Sequence, residues 1–334
     1  MIARRRQMRD DPLLALLTFF TVPMLLLISG CITLDMGGSG PGEMSESVVR
    51  GDDGPKVLLL DIDGEITDSD AAGVLGWVLS EGTVSRVRDQ LDLAERKGDI
   101  EAIIVRIDSP GGSPTASDTV YRQLVAFKRK HEIPIHAQMM SVAASGGYYV
   151  AMAADQIAAN RTTVTGSIGV IMMGVNLTGL MDKIGVENQT ITSGPYKDTG
   201  TFLRPMKSSE RQQMQSVIDD LYLQFVSVVD EGRPNLTEEE VKHLADGRIY
   251  SAQQAQAVGL VDRIAPLEDT IDAVRKQLGA SEVRVVTYHR QRESPTNIYS
   301  RSMTRADVEI GSADPIARLW PRPGFYYLWW PGVQ

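Results

Sequence analysis

The sequence predicts an α/β domain in which parallel strands alternate with helices. From Lys56 onward, short apolar runs alternate with longer amphipathic stretches, which is the pattern of βαβ units. The 334 residues are 43% hydrophobic and 23% charged, as in an ordinary globular protein. No repeat of solenoid length is visible, so we expect a single domain over residues 57–290.

The expected elements follow from apolar periodicity. The strands are expected at 57–60, 102–107, 133–138, 157–158, 170–175, 186–191 and 283–288. The helices are expected at 84–97, 116–130, 208–231 and 267–278, with a helix-like stretch at 150–155. Loops at the ends of parallel strands can build a site, so the glycine-bearing turns between these elements are the first candidates.

The amino terminus predicts an export signal or a membrane anchor over residues 1–35. Four arginines among the first nine residues precede residues 12–34, which carry no charge. At ~1.5 Å per residue, this stretch can cross a hydrocarbon core of ~30 Å. The arginines are expected to stay in the cytoplasm. The domain is therefore expected on the outer side of a bacterial cytoplasmic membrane, facing the periplasm or the exterior.

Cys31 and the residues after it define the tether. Ile28, Ser29 and Gly30 precede Cys31 and resemble a lipobox, in which the cysteine is lipidated and becomes the mature first residue. Alternatively, Cys31 is a small hydrophobic residue inside an uncleaved anchor. Both interpretations give a membrane-tethered body. Residues 36–56 are rich in Gly, Ser and Pro and are predicted to be a flexible linker.

Composition excludes several classes of function. With 34 Lys and Arg against 43 Asp and Glu, the net charge is −9, so a broad basic surface for nucleic acid is absent. One cysteine excludes an intrachain disulfide and a thiolate zinc site, and four histidines argue against a His-rich metal centre. We therefore expect no metal and no organic cofactor, and chemistry from Ser, Thr, Lys, Asp, Glu and backbone groups.

Three glycine-bearing turns form the candidate site. In DSPGG (108–112), two glycines leave bare amides that suit negative charge, although Pro-Gly-Gly is also a common tight turn. In AASGGYY (143–149), Ser145 lies at a helix start, where amides and the helix dipole favour an anion. A serine N-cap among small residues is the competing interpretation, and spacing alone favours it. The third turn, TGSIG (165–169), enters an apolar strand.

A nucleophilic serine needs a base. The four histidines carry no local signature of a triad, although a triad is defined by geometry; they are His131, His136, His243 and His289. Lys197 follows a glycine turn in SGPYKD (193–198). A lysine acts as a base only where burial favours its uncharged form. The competing interpretation of Lys197 is a solvated surface lysine.

Five ordered motifs resemble the signal peptide peptidase A (SppA) family, and the match covers residues 57–273. The motifs are DSPGG, AASGGYY, TGSIGV, GPYKDTGTFLRPM and GRIYSAQQAQAVGLVD. The resemblance implies a ClpP/crotonase-like fold of repeated ββα units and a membrane-bound serine peptidase with a Ser-Lys dyad. It also implies a homo-oligomer that hydrolyses hydrophobic peptides such as cleaved signal peptides.

The resemblance also implies roles for individual residues. Ser145 would be the nucleophile, Lys197 the general base, and Ser167 the serine that orients the lysine. Gly112 and Gly146 would supply the amides of the oxyanion hole. The chain has one catalytic region rather than a tandem duplication, so both members of the dyad should come from that region.

Two further questions stay open at this level. Residues 291–334 form a polar and then aromatic-rich tail, which is either a strap packed over the body or an anchor at the bilayer or at another subunit. The alternatives to a peptidase are a crotonase-like enzyme acting on acyl-CoA and a non-catalytic membrane scaffold of the same fold. An exported location disfavours acyl-CoA, which is not expected there.

Overall fold

The structure is a computed structural model that describes residues 44–69, 71–72, 78–290, 295–300 and 324–329. Its strands are β1 Met44–Arg50, β2 Lys56–Ile66, β3 Ala71–Ala72, β4 Val78–Ser80, β5 Ile100–Gly112, β6 Ile135–Ala144, β7 Gln156–Ala159, β8 Val164–Gly166, β9 Ile171–Met172, β10 Ile249–Ser251, β11 Arg263–Ile264, β12 Arg284–Arg290 and β13 Phe325–Leu328. Its helices are α1 Thr83–Lys97, α2 Pro114–His131, α3 Gly146–Ala151, α4 Thr178–Ile184, α5 Ser208–Gly232, α6 Glu238–Leu244, α7 Ala252–Ala257 and α8 Leu267–Gln277.

The centre of the main sheet is parallel. Its strands follow the order β1-β12-β2-β5-β6-β7-β11, and β2, β5, β6 and β7 pair in parallel with their neighbours. The helices α1, α2 and α3 lie between these strands along the chain, so each connection is a helical crossover. At one edge β1 pairs antiparallel with β12. The predicted α/β class is confirmed.

Alternate residues of the central strands enter two hydrophobic cores. In β2, Leu58, Leu60 and Ile62 belong to one core, whereas Val57 and Leu59 belong to the other. Helices α1, α2 and α3 contribute to the first core, and α8 contributes to the second. A sheet covered on both faces requires nearly continuous apolar strands, which explains the apolar runs of the sequence.

The long strands change partner or register near their carboxyl ends. The pairing of β2 with β5 shifts between Asp63 and Glu65, and the pairing of β5 with β6 shifts between Ile107 and Ser109. The first half of β6 pairs with β7, and its last three residues pair with β8. Each long strand thus supplies two consecutive strand segments before its helix. This is a ββα unit, and the predicted ClpP/crotonase-like fold class is confirmed.

Three local predictions are wrong. The DSPGG segment is not a separate turn but the extended end of β5, because it pairs with β2 and β13. Residues 186–191 form no strand, because they are exposed and have no neighbouring strand. The strand expected at 170–175 is limited to β9. The sequence also predicts no helix at α4, α6 or α7.

The linker prediction for residues 36–56 is wrong where the structure describes that segment. Residues Met44–Arg50 form β1, in which Val49 is buried and Ser47 Oγ lies 2.8 Å from His289 Nε2. The Lys56 ammonium, at the start of β2, pairs with Asp99 at 2.6 Å. Pairing with β12 orders this stretch in spite of its composition.

The predicted anchor and Cys31 lie outside the described residues, as do residues 36–43 of the linker. Among the helices that the structure describes, none is long and apolar enough to span a bilayer. Two pieces of the 291–334 tail are described, and both pack on the body. Arg106, which is buried and pairs with Asp61, donates to the carbonyl oxygen of Ser300 at 2.8 Å. Strand β13 pairs with β5 and β9, which confirms the strap interpretation for these residues.

Candidate active site

Ser145 lies in the sharp turn between β6 and α3. Its backbone has φ 52° and ψ −116°, a left-handed φ that costs a non-glycine residue about 1–3 kcal/mol. Two bonds hold it there: its N–H donates to the Gly166 carbonyl at 2.7 Å, and its carbonyl accepts from the Tyr149 N–H at 2.9 Å. A strained strand-to-helix turn of this kind presents nucleophilic serines in other hydrolases.

The N-cap interpretation of Ser145 is wrong. The residue holds the N-cap position of α3, but its side chain makes no capping hydrogen bond. The two residues before Ser145 are small because they have no free space: Ala143 and Ala144 are fully buried in β6. They pair there with Thr165 and Gly166 of β8. Ser145 itself is 1% exposed in the single chain.

Glycines meet next to Ser145. A Cβ on Gly112 would collide with the carbonyl oxygen of Ile66. A Cβ on Gly111, which has φ 105°, would lie 2.7 Å from the backbone nitrogen of Gly146. Only glycine fits at these positions, and Gly111, the neighbour of Gly112, packs directly against Gly146, the residue after Ser145.

Ser109 fixes the conformation of the glycine segment. Its hydroxyl donates to the Gly64 carbonyl at 2.6 Å and accepts from the Gly111 N–H at 3.1 Å. Ser109 is completely buried, so these bonds are shielded from water. The sequence showed this serine only as part of a turn.

Ser167 lies beside the nucleophile. It follows Gly166, whose carbonyl binds the Ser145 N–H, and it also has a left-handed φ, of 50°. Its N–H donates to the Arg248 carbonyl at 2.8 Å. We call Gly111, Gly112, Ser145, Gly146 and Ser167 the nucleophile corner.

Lys197 does not join this corner in the single chain. It is exposed, as its competing interpretation expects, and lies in a turn where its N–H donates to the Gly194 carbonyl at 3.2 Å. In the part of the chain that the structure describes, no hydrogen bond joins Lys197 Nζ to Ser145 Oγ. We call residues 173–204 the lysine arm; none of them is buried.

An ion-pair cluster holds the base of the lysine arm. Arg204 donates to Asp198 at 2.7 Å and to Glu210 of α5 at 2.6 Å. The bond from Arg204, together with a bond from the Lys207 N–H, lowers the pKa of Glu210 to about 2. Arg204 likewise lowers the pKa of Asp198. The neighbour of Lys197 is therefore anchored, although Lys197 is not.

Three of the four histidines contact groups other than Ser145. His136 Nε2 lies 2.7 Å from Gln277 Oε1, at the opposite end of β6 from Ser145, and burial lowers the pKa of His136. His289 lies beside Ser47, and His131 packs against Phe127. No Ser-His-Asp triad forms among the described residues. Within those same residues, no group of three or more His, Cys, Asp or Glu side chains could hold a metal ion.

Comparison with known proteins gives a consistent family. The model of "Peptidase family S49" matches residues 127–281. The chain is 46% identical to a Synechocystis sp. protein named as a candidate protease, slr0021, over 57% of this chain and 68% of that protein. It is 33% identical to an Enterococcus faecium protein named as a candidate signal peptide peptidase SppA, over 75% of this chain and 72% of that protein.

One similar solved structure is a mutant of the 1510-N membrane-bound stomatin-specific protease. It has a TM-score of 0.42 and 16% identity, and the match covers 75% of this chain and 92% of that chain.

Proposed function

The chain belongs to peptidase family S49 and is a serine peptidase, and we propose that Ser145 is its nucleophile and Lys197 its general base. The observation that carries the first assignment is the strained turn at Ser145, next to three glycine backbones that exclude side chains. The hydroxyl is not used as a helix cap. Membership in a peptidase family disfavours the acyl-CoA and scaffold alternatives.

The proposed reaction transfers the acyl group of a peptide to water. Uncharged Lys197 removes the Ser145 proton as Oγ attacks the peptide carbonyl carbon. The N–H groups of Gly112 and Gly146 donate to the oxyanion, and one such donor lowers a barrier by ~3–4 kcal/mol. Protonated Lys197 then gives its proton to the leaving amine, and water hydrolyses the acyl-enzyme. Ser167 orients the lysine.

We propose that the lysine arm reaches the nucleophile corner when it packs against a second copy of the chain in a homo-oligomer. Large apolar side chains on the arm are exposed in the single chain, and Ile191 is 96% exposed. Such a patch indicates a protein contact. The other exposed apolar residues of the arm are Val175, Leu177, Leu180, Ile184, Val186, Tyr196 and Phe202. Their burial would also remove water from Lys197.

We propose hydrophobic peptides, such as cleaved signal peptides, as substrates. Buried aromatic rings next to Ser145 support this class, since Tyr149 of α3 lies 5.0 Å from Phe225 of α5. The relative named for signal peptide peptidase activity supports it as well. Residues 12–34 would tether the domain to the outer side of the cytoplasmic membrane, with Cys31 lipidated or buried in the anchor.

The test is hydrolysis of an apolar reporter peptide by the full chain. Ser145→Ala and Lys197→Ala should each reduce kcat by at least about a thousandfold, because each removes a group that acts in the transition state. Two exposed residues provide matched controls, Ser141→Ala and Lys183→Ala: Ser141 lies on β6, the strand that precedes Ser145, and Lys183 lies on the lysine arm. Both should retain activity. Full turnover by Lys197→Ala would remove the lysine from the mechanism, and full turnover by Ser145→Ala would remove the nucleophile.

A further inference from the structure

The short helix α3 cannot hold Ser145 in place by itself. It has six residues and begins with two glycines, and isolated helices shorter than ~12–15 residues are marginal in water. Ser145 keeps a left-handed φ of 52°, a conformation that persists only where the surrounding structure enforces it. A serine freed from this strain adopts the usual N-cap conformation, in which its hydroxyl accepts from an N–H of its own helix. The nucleophile therefore needs support from outside α3.

Tyr148 connects α3 to the end of the fifth sequence motif, to which the proposed mechanism gives no role. We call residues 259–262, with the sequence GLVD, the GLVD loop. The Tyr148 hydroxyl donates to the Leu260 carbonyl at 2.8 Å, and both residues are completely buried. Burial raises the pKa of Tyr148, so the hydroxyl keeps its proton and stays a donor. Tyr148 lies one helical turn after Ser145, so this bond fixes the first turn of α3.

Arg233, the C-cap residue of α5, holds the GLVD loop from the other side. Its Nε donates to the Gly259 carbonyl at 2.8 Å, and its Nη2 donates to Asp262 at 2.6 Å. Asp262 also accepts from the Ile157 N–H of β7 at 2.6 Å. Arg233 is 6% exposed, and charge-assisted bonds of this kind are stronger than neutral ones. The loop that binds Tyr148 is thus tied to both α5 and β7.

Helix α5 connects this support to the other half of the site. At its carboxyl end, a Cβ on Gly232 would lie 2.9 Å from the Cβ of Met152, the C-cap residue of α3. At its amino end, Glu210 accepts from Arg204 at the base of the lysine arm. The helix has 25 residues, which is ~37 Å at ~1.5 Å per residue. One element therefore anchors the lysine arm and the support of the nucleophile helix.

We propose that Tyr148, Arg233 and Asp262 are positioning residues for Ser145, because together they hold α3 in the conformation that keeps the serine hydroxyl out of a helix cap. The inference rests on the proposed function, in which Ser145 is the nucleophile. The three residues act through α3 and not on the substrate. Loosening them should therefore lower kcat and leave KM nearly unchanged.

The first experiment measures hydrolysis of an apolar reporter peptide by the full chain. Tyr148→Phe deletes one oxygen and should lower kcat at least about tenfold, since a misplaced catalytic group can cost about a hundredfold. Arg233→Gln should lower kcat to a similar extent, and KM should stay within about twofold in both variants. The double variant should lose no more than the weaker of the two single variants, because both break the same support. Losses that multiply would contradict a shared support.

The second experiment measures the hold on α3 without turnover. The Tyr149 N–H donates to the Ser145 carbonyl at 2.9 Å and reports on the first turn of α3. Its hydrogen exchange should be at least about tenfold faster in Tyr148→Phe and in Arg233→Gln. Exchange in α8, on the other face of the sheet, should stay the same.

Two matched controls remove similar bonds elsewhere. Tyr299→Phe removes a hydroxyl that donates to Glu268, and Arg290→Gln removes ion pairs with Glu81 and Asp89. Both should keep kcat and the exchange rate of α3, even where the midpoint of thermal unfolding falls. If Arg233→Gln does not fold, the smaller change Tyr148→Phe carries both experiments.

The outcomes separate this inference from the proposed function. Unchanged kcat in Tyr148→Phe and Arg233→Gln would overturn the inference, with or without faster exchange, and would leave the peptidase mechanism intact. A rise in KM with kcat retained would also overturn it, because the residues would then act on substrate binding. Full activity of Ser145→Ala would instead contradict the proposed function. Faster exchange in Tyr148→Phe would then still support the hold of the GLVD loop on α3.

Discussion

The nucleophile corner and the lysine arm belong to one candidate site, yet they differ in how they are built. In the corner, Ser145 is held by main-chain bonds to β8 and α3, and its neighbours are buried. In the arm, helix α4 has no buried residue and Ile191 is 96% exposed. One half of the site is thus completed by the packing of a single chain, and the other half has its apolar groups in water.

The difference shows that the nucleophile corner and the lysine arm are stabilised by different contacts. The corner is a direct consequence of the sheet, because the end of β6 lies between β5 and β8 and the backbone around Gly111 and Gly112 leaves no room for a Cβ. The arm has no such support beyond the cluster at Arg204. A lysine base needs a dry environment, so the arm needs a partner surface that the single chain does not supply.

After substitution of Ser145 or Lys197 themselves, the largest effect is expected from Gly112→Ala, which disrupts the nucleophile corner. The added Cβ would collide with the Ile66 carbonyl, and overpacking of this kind typically costs ~1–3 kcal/mol. We expect a lower midpoint of thermal unfolding and a loss of hydrolysis of at least about a hundredfold. Gly179→Ala in the arm is the control, because its Cβ would meet nothing within 4 Å. Unchanged stability and activity of Gly112→Ala would show that the corner is not tightly packed.

A smaller effect, about tenfold in kcat/KM, is expected from Ile191→Glu, since a buried interface tolerates no unpaired charge. Sedimentation should show weaker self-association, while the unfolding midpoint of the dissociated chain stays the same. Val48→Glu is the control, because Val48 is an exposed apolar residue on β1, away from the arm. Full activity and unchanged association of Ile191→Glu would mean that this part of the arm packs on nothing.

A several-fold loss of kcat is expected from Arg204→Gln, because Arg204 ties Asp198, the neighbour of Lys197, to Glu210. KM should change less than kcat, since the arginine acts on the position of the base. Lys207→Gln is the matched control, because the Lys207 ammonium is half exposed and lies 3.7 Å from Glu210, which is beyond hydrogen-bond distance. A change in KM alone would assign Arg204 to substrate binding.

The smallest effect concerns the same cluster and pH. The pKa of Glu210 is lowered to about 2 in the folded chain, chiefly by the bond from Arg204, so its ionised form stabilises the fold. This contribution is complete above the unfolded pKa, near 4.5, and disappears as pH falls from about 4.5 through 2. The free energy of unfolding, measured with urea at each pH across this range, should fall less steeply with falling pH for Glu210→Gln than for the unsubstituted protein. Parallel curves for the two proteins would show that ionised Glu210 does not stabilise the fold through its bond with Arg204.

The sequence predicted the corner better than the arm, for physical reasons. Ser145 and Gly146 follow β6 and Gly112 ends β5, and strand ends are set by local apolar patterns. Their serine and glycines were therefore recognisable from the motifs. The strand expected at 186–191 had the right apolar residues but no strand beside it, and strand pairing is not a local property.

Residues 44–50 and the aromatic tail show the same limit of prediction from local sequence. The composition of residues 44–50 suggested a linker, but pairing with β12 makes them a strand. The aromatic tail was visible in the sequence, whereas the alignment of Tyr327 with Gly112 depends on contacts between distant parts of the chain.

The most direct test of the Ser-Lys mechanism is the distance between Ser145 Oγ and Lys197 Nζ in an experimental structure of the assembled full chain. The mechanism predicts that the arm folds onto the corner and brings the two atoms within hydrogen-bond reach, ~2.6–3.2 Å. An assembled structure in which the lysine amine still lies in solvent, separated from the serine, would contradict it.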